Sequence, residues 1–518
     1  MDSAASPAAP GDAPQSIALS LVAHTNVGKT TLARTLLGRD IGEVRDEPHV
    51  TEFADVHTML ESPEGDRLQL WDTPGFGDSV RLLRRLRQSN NPVGWFLSQV
   101  WDRWRERPFW AAQQALKNVR DEADVMLYLV SAAETPQAAG YVKPELELLA
   151  WTGKPVIVLL NQLGTPRPGG GDDVEPWRRH IDALAPGSRV LPFDAFARCW
   201  VQEIVLLEAI AEPLPVQRRA AMTRLVASWR RERLANFAAS MAILAESLAR
   251  VASVRVVVEE SAGLGARLRR AAASALRRSA SPDDPALQAQ ARLRELLGIE
   301  VRESTAALIR LHRLEGESTA AVLASVEIDL HKRVDAGWAA VWGGAVSGAL
   351  AGLSTDVMSG GLTLGGGMIA GGVLGALGAA GIAEGVNRIR GTDRSWLAWK
   401  GEALMPMVDA ALLRYLAVAH FGRGRGRWAD AAAPEHWAAA VHAALEAHRE
   451  VLAALWRDGE GFEVDAGAVE ATRRGLQPVL AAAARDTLLR LYPDAAAALP
   501  AGAGGGGEID QGRAASTP

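Results

Sequence analysis

Residues 23–31 read AHTNVGKTT, and they lie between an apolar strand-like run, IALSLVA, and a helix-like run, TTLARTLLG. Few folds accept that order of parts. A strand that ends in a tight loop and passes straight into a helix points successive backbone N–H groups, and the positive end of the helix, at one spot. Such a nest holds phosphate oxygens. Within it Lys29 reaches β- and γ-phosphates and the Thr30 hydroxyl reaches a Mg²⁺ ion, while Gly28 lets the backbone approach the phosphates closely. Asn26, Val27 and Thr31 complete the loop. The first position of this pattern is ordinarily glycine and here is Ala23, which costs little if its backbone angles are ordinary.

Further along the chain the other parts of such a site follow in order. RLQLWDTPGFGD at residues 67–78 reads as a strand ending in Asp72-Thr73-Pro74-Gly75. A carboxylate at that strand end can hold the Mg²⁺ shell through water, and the Gly75 N–H can report whether a γ-phosphate is present. Thr51, in HVTEF between the two motifs, can add a hydroxyl to Mg²⁺ in the triphosphate state. A third strand, VMLYLV at 125–130, and a fourth, PVIVLLNQ, lead to Asn161 on the side of the base. Phosphate loop, threonine, DTPG and strand-asparagine in this order predict an α/β fold over 16–212. The expected architecture is a P-loop GTPase fold with a mostly parallel sheet and flanking helices, followed by a mostly α-helical C-terminal part with a Gly-rich hairpin.

On these motifs, residues 16–212 resemble the Era-like branch of the translation-factor-related GTPases. The whole chain resembles a bacterial GTPase family whose C-terminal half is a domain of unknown function, DUF3482, through RYLAVAHFGRGRG at 414–426 and the Gly-rich stretch before it. The resemblance implies binding of GTP and GDP and hydrolysis with Mg²⁺ held by Thr30, Thr51 and Asp72. It also implies a K⁺ ion seated by Asn26 that stabilises charge developing on the phosphates, which would make Lys29 and Asn26 the catalytic groups.

Two departures matter. Where the family pattern reads Asn-Lys-x-Asp, this chain reads Asn161-Gln162-Leu163-Gly164, so the carboxylate that pairs with guanine is missing there. Losing that pairing relaxes the preference for GTP over ATP; Asp194 is a substitute from the next loop. Phe76 follows Gly75 where many G proteins place a glutamine, and a phenyl ring orients no water. Intrinsic hydrolysis is then expected to be slow without K⁺, a partner or a homodimer, and the alternative is a nucleotide-binding adaptor that hardly turns over. RLLRRLR at 81–87 reads as the solvated face of an amphipathic helix whose other side is Leu82, Leu83 and Leu86, with an arginine delivered in trans as the sharper reading.

A Trp-rich insertion at about 78–118 carries Trp95, Trp101, Trp104 and Trp110, read first as core packing and second as a docking surface. The net charge of −5 and pI near 6.1 give no reason to expect nucleic acid, and the single cysteine, Cys199, suits the cytoplasm. Residues 1–15 and 500–518 are expected to be disordered, and 213–336 and 387–499 to be helical, with His331, His420 and His442 as packing or surface residues. Residues 337–386 stand apart: Gly, Ala and larger apolar residues dominate, Asp356 and Glu384 are the only charged ones, and glycines recur at every fourth position. That pattern predicts a close-packed helical hairpin, with 361–383 long enough to span a bilayer. Two readings stay open for it: a hairpin at the cytoplasmic face of the inner membrane, and one packed inside the C-terminal domain or against another copy of it; an unidentified protein partner is expected separately.

Overall fold

The computed structural model describes residues 13–38, 55–88, 92–98, 106–163, 174–193, 199–258, 285–314, 382–386, 395–399, 401–420, 436–457 and 466–499. Thr51, Trp101, Trp104, Gly164, Asp194, His331, the side chain of Trp95, the two outermost chain ends and all of 337–381 lie outside the described residues.

The N-terminal part is built on a six-stranded sheet of β1 (Ser16–Ala23), β2 (Asp55–Glu61), β3 (Arg67–Asp72), β4 (Val125–Ser131), β5 (Val156–Asn161) and β6 (Arg189–Pro192), in the order β2-β3-β1-β4-β5-β6. Every pairing is parallel except β2 with β3. The inner strands alternate strictly between two buried faces. Leu127 and Leu129 of β4 join Leu19 and Leu21 on one side, while Met126, Tyr128 and Val130 face the other. Both faces are covered, which is why these strands read as unbroken apolar runs. One face carries α1 (Lys29–Leu37) and part of α7 (Trp200–Ala211); the other carries α2 (Ser79–Leu86), α3 (Pro92–Ser98), α4 (Arg107–Asp121), α5 (Val142–Ala150) and α6 (Glu175–Leu184).

The described parts of the insertion fall on α2, α3 and α4. Phe96 of α3 and Phe109 of α4 are buried and Trp110 packs partly against the same core, in keeping with core packing for this tryptophan. On α2 the leucines at 82, 83 and 86 are buried, and Arg81, Arg84, Arg85 and Arg87 are exposed. Arg87 pairs with Glu147 of α5 at 2.6 Å.

α7 and α8 (Val216–Ser253) form an antiparallel helical hairpin that belongs to both halves of the molecule. The first turns of α8, Ala221, Met222, Leu225 and Val226, pack in the core beneath the large sheet. Its later turns, from Met241 to Ala252, pack in a second core formed with α9 (Pro285–Leu311), α10 (Leu404–Ala419), α11 (His436–Glu446), α12 (Arg449–Arg457) and α13 (Ala466–Leu491). α7 divides the same way: Trp200, Val201 and Ile204 face the second core, and Leu206, Leu207 and Ile210 face the first. Arginines of α8 pair with α7 between the two, Arg230 with Glu208 and Arg233 with the buried Glu203.

The C-terminal part is mostly helical, as expected, but the strand pattern does not stop near residue 213. β7 (Val256–Val258), β8 (Ile382–Val386) and β9 (Ser395–Trp399) form an antiparallel sheet in the order β7-β9-β8. The close of the Gly-rich stretch is therefore a strand and not the end of a helix: Glu384 and Gly385 stand opposite Leu397 and Trp396. His420 is a packing residue, with Nδ1 2.7 Å from the Leu416 carbonyl oxygen, and burial pushes it down to about 4. His442 is a surface residue.

Asp66, in the turn between β2 and β3, is fully buried and accepts from Arg224 Nε and Nη2 of α8 at 2.6 and 2.8 Å. The guanidinium holds its carboxyl below the usual carboxylate range. A carboxyl lowered in the folded state stabilises the fold above its ordinary value of 3.8 and loses that contribution as pH falls through the folded value. Arg224→Met leaves this buried carboxylate without its counter-charge, with only the Gln15 N–H and the Ser62 hydroxyl still donating to it. Chemical denaturation at pH 7 should show a loss of about 2–4 kcal/mol, a little below a fully enclosed pair because Arg224 is partly exposed. The loss should shrink as the pH is lowered toward 3.

Candidate functional site

β1 is the point where the strand order reverses: the chain continues to β3 on one side of it and to β4 on the other. Ligands of open α/β sheets bind at the carboxyl ends of the strands at such a point, and the 23–31 loop leaves β1 there. Ala23 closes the strand in extended backbone, so the missing first glycine carries no conformational cost. Asn26 turns the loop with φ +68° and is exposed, and Gly28 caps α1 with φ +87°. A Cβ on Gly28 would stand 2.8 Å from Nδ2 of Asn161, so both the dihedral and the contact require glycine. Val27 and Thr31 are buried and anchor the loop on either side of it.

Lys29 and Asp72 meet as a buried ion pair, and the Thr30 hydroxyl donates to Asp72 Oδ2 at 3.2 Å. An ammonium, a hydroxyl and a carboxylate thus converge at the first turn of α1. The oxygen pair is the hard donor set that Mg²⁺ takes, and the ammonium at the N-terminus of α1 suits phosphate. The residues present fit a Mg²⁺–phosphate group.

The DTPG loop is stitched to the phosphate loop. Phe76 N–H donates to the Ala23 carbonyl at 2.8 Å, Thr25 N–H donates to the Phe76 carbonyl at 3.0 Å, and the Thr73 hydroxyl donates to the Leu21 carbonyl at 2.8 Å. A Cβ on Gly75 would meet Thr25 at 3.2–3.4 Å. Phe76 is fully buried among Val22, Leu82, Leu86 and Tyr128, so it faces away from the loop and fastens it to the core.

Asn161, expected on the side of the base, donates from Nδ2 to the Val27 carbonyl at 2.8 Å and is fully buried; its amide braces the phosphate loop. Gln162 has φ +60°, and its Oε1 accepts from the Ser131 hydroxyl at 2.7 Å. Of the expected site residues, Asn26, Val27, Gly28, Lys29, Thr30, Thr31, Asp72, Gly75 and Asn161 come together at this edge of the sheet.

Sequence reasoning passed over a cluster beside the loop. Nδ1 of His24 lies 2.6 Å from Oε1 of Glu145, a fully buried carboxyl on α5, and the imidazole stacks on Tyr141 at 4.4 Å. Glu145 Oε2 accepts from the Tyr128 hydroxyl at 2.9 Å, and Ser79 also hydrogen-bonds to this carboxyl. Burial pushes Glu145 up, against the lowering effect of His24, and pushes Tyr141 up to about 12. The signal was available: Val142, Glu145, Leu146 and Leu149 share one helical face, and an acid on an apolar face is a buried acid.

Fold and loop together define a P-loop GTPase domain of the Era-like kind. A family model described as "50S ribosome-binding GTPase" matches residues 18–162. The chain belongs to the family described as "Domain of unknown function (DUF3482)", whose model matches residues 188–462, more than half of the protein. It is 32% identical over 147 residues to GTPase Der of Myxococcus xanthus, covering 28% of this chain and 26% of that one. To GTPase Era of Carboxydothermus hydrogenoformans it is 27% identical over 199 residues, covering 38% of this chain and 55% of that one. It therefore spans about a quarter and about half of the length of these two relatives. A solved structure of Era in complex with MgGDPNP and a segment of 16S ribosomal RNA aligns at 20% identity and a TM-score of 0.30, over 39% of this chain and 58% of that one.

Gly28→Val should abolish nucleotide binding while leaving a folded protein. Its branched side chain needs both a left-handed backbone and the space held by Asn161, so equilibrium dialysis with radiolabelled GTP should show at least a hundredfold loss, with the far-ultraviolet circular dichroism unchanged.

Proposed function

We propose that the chain is a nucleotide switch that binds GTP with Mg²⁺, hydrolyses it to GDP and phosphate, and changes the setting of its helical half as it does so. The observation that carries this reading is the meeting of Lys29, Thr30 and Asp72 at the mouth of a loop with phosphate-binding geometry. In it Lys29 exchanges its carboxylate partner for β- and γ-phosphate oxygens. Thr30, Asp72 and Thr51 hold the Mg²⁺ shell, and bound Mg²⁺ neutralises phosphate charge. The Gly75 N–H takes the γ-phosphate, and because this loop is bonded to Ala23 and Thr25, its presence is felt at once in the phosphate loop. Asn26, exposed at the turn, is the proposed K⁺ seat. Asn161 acts on the nucleotide through Val27.

The route to the helical half runs through two contacts. The β2–β3 turn joins the Thr51 segment to the DTPG strand, and its Asp66 is gripped by Arg224 of α8. Arg218 at the start of α8 pairs with Asp124, which also accepts from the Ala18 N–H of β1. A shift of β3 relative to β1 therefore pulls on α8. The chain works in the cytoplasm, and contact with the inner membrane through 337–386 belongs to this proposal. Among the described residues α8 alone is long and apolar enough to cross a membrane, but its apolar residues are shared between two protein cores.

A second reading, a nucleotide-binding adaptor with negligible turnover or relaxed choice between GTP and ATP, is favoured by Phe76. A buried phenyl ring leaves no group after Gly75 to orient water, so K⁺, a protein partner or a second copy would have to complete the site. Multiple-turnover phosphate release by the full chain separates the two. Slow turnover of GTP that rises with K⁺ over Na⁺ and falls about 10²-fold or more in Lys29→Ala is expected. Phosphate release no greater than that of Lys29→Ala under every cation would leave the adaptor.

A further inference from the structure

The Mg²⁺ and phosphate groups leave His24 and Glu145 unused, although together they touch the phosphate loop, β4 and the start of α2. We propose that His24 is a positioning residue of the phosphate loop, and that Glu145 is the anchor through which that loop and the start of α2 are held to one point on α5. The proposal rests on the reading of the loop as a nucleotide site.

His24 is the first residue after β1, one step before the Thr25 and Asn26 turn, and its backbone forms an isolated parallel bridge with Phe76. Its ring is held on two sides, by Tyr141 stacked at 4.4 Å with planes 19° apart and by Glu145 at 2.6 Å. Three groups converge on the Glu145 carboxyl: His24 Nδ1 at Oε1, the Tyr128 hydroxyl donating to Oε2, and Ser79. Ser79 is the first residue of α2 and itself buried, directly beyond the DTPG loop. The segment from Gly75 to Asp78 is thereby pinned at both ends, by Phe76 to the backbone around His24 and by Ser79 to the carboxyl that His24 also uses. Tyr141 extends the chain of contacts toward the base side: its hydroxyl oxygen accepts from Ser131 N–H at 3.4 Å, and Ser131 donates to Gln162.

A fully buried carboxyl that served packing alone would be replaced by an apolar residue at no loss. Here it collects donors from the phosphate loop, from β4 and from the helix after the DTPG loop, three elements whose relative position decides how a nucleotide is held. The function that follows is to keep the Asn26 and Gly28 turns pre-formed, so that binding does not have to order them. Without the clamp the loop orders only on binding, and the nucleotide leaves faster.

The test uses the full-length protein with Mg²⁺, a fluorescent GDP and a fluorescent non-hydrolysable GTP analogue, with dissociation followed by stopped flow. His24→Phe keeps the ring stacked on Tyr141 and removes the contact with Glu145; Glu145→Gln keeps the size and one acceptor oxygen. His24→Phe should release both nucleotides about tenfold faster, the loss of one buried hydrogen bond, while keeping the far-ultraviolet circular dichroism of the native chain. Glu145→Gln should have a smaller effect, because one acceptor oxygen remains, and the double variant should fall short of the product of the two singles, since the His24–Glu145 contact is common to both. Release from His24→Phe within twofold of native, or a double variant whose effect is the product of the two singles, would overturn the proposal and leave the nucleotide site standing. Binding of neither nucleotide by the native chain would overturn both.

Discussion

α8 has apolar side chains at both ends and, at about 1.5 Å per residue, a length of about 57 Å over its 38 residues, more than either half of the molecule can bury alone. Met222 and Leu225 need the sheet of the N-terminal domain above them; Leu244 and Leu248 need the helices of the C-terminal one. α7 runs back along it with the same division. Two hydrophobic cores thus share two helices, and neither core is complete without both. Between them, where α8 has no fully buried residue, the hairpin is held by ion pairs, Arg230 with Glu208 and Arg233 with Glu203, and Arg233 lies 3.7 Å over the Trp229 ring. Burial lowers Arg233 to about 10, which still leaves it charged at neutral pH. The two ends of this one helix thus belong to two different cores.

The nucleotide end of this arrangement is governed by electrostatics. A buried ammonium and a buried carboxylate sit together at the N-terminus of α1, each compensating the desolvation of the other. Such a pair is a poor device for stability alone and a good one for binding an anion with its cation, because each partner already has the charge the ligand requires. The loops around it are not independent. Backbone bonds join residues 23 and 25 to Phe76, Asn161 braces Val27, and the Glu145 cluster joins His24 to Ser79.

Much of this was legible in the sequence. The four motifs in order, with unbroken apolar strands between them, dictate the sheet, because a parallel strand covered on both faces has to be apolar throughout. The amphipathic arginine helix was equally plain, since Leu82, Leu83 and Leu86 fall on one face. The small sheet was not: β7 and β8 are drawn from residues more than a hundred positions apart, and only the β-branched run at 256–258 hinted at it. Glycine spacing also misled at Ile382–Val386, where the alternation of a strand overrides a helical period. The bond from the Asn161 amide to the Val27 carbonyl was not legible, because a motif gives a residue's position and not the direction of its amide. His24 was overlooked because the loop pattern leaves its position open, and the partner that gives it meaning lies 121 residues away.

In the proposed function, the nucleotide state of the N-terminal domain is transmitted through the β2–β3 turn and α8 to the helical half. Hydrogen–deuterium exchange of the full chain, compared between GDP and a non-hydrolysable GTP analogue, tests it directly. The account predicts altered protection in residues 55–72 together with altered protection along 216–253 beyond Arg230, and on into the helices packed against it. Changes confined to the phosphate and DTPG loops, with 216–253 identical in the two states, would contradict it.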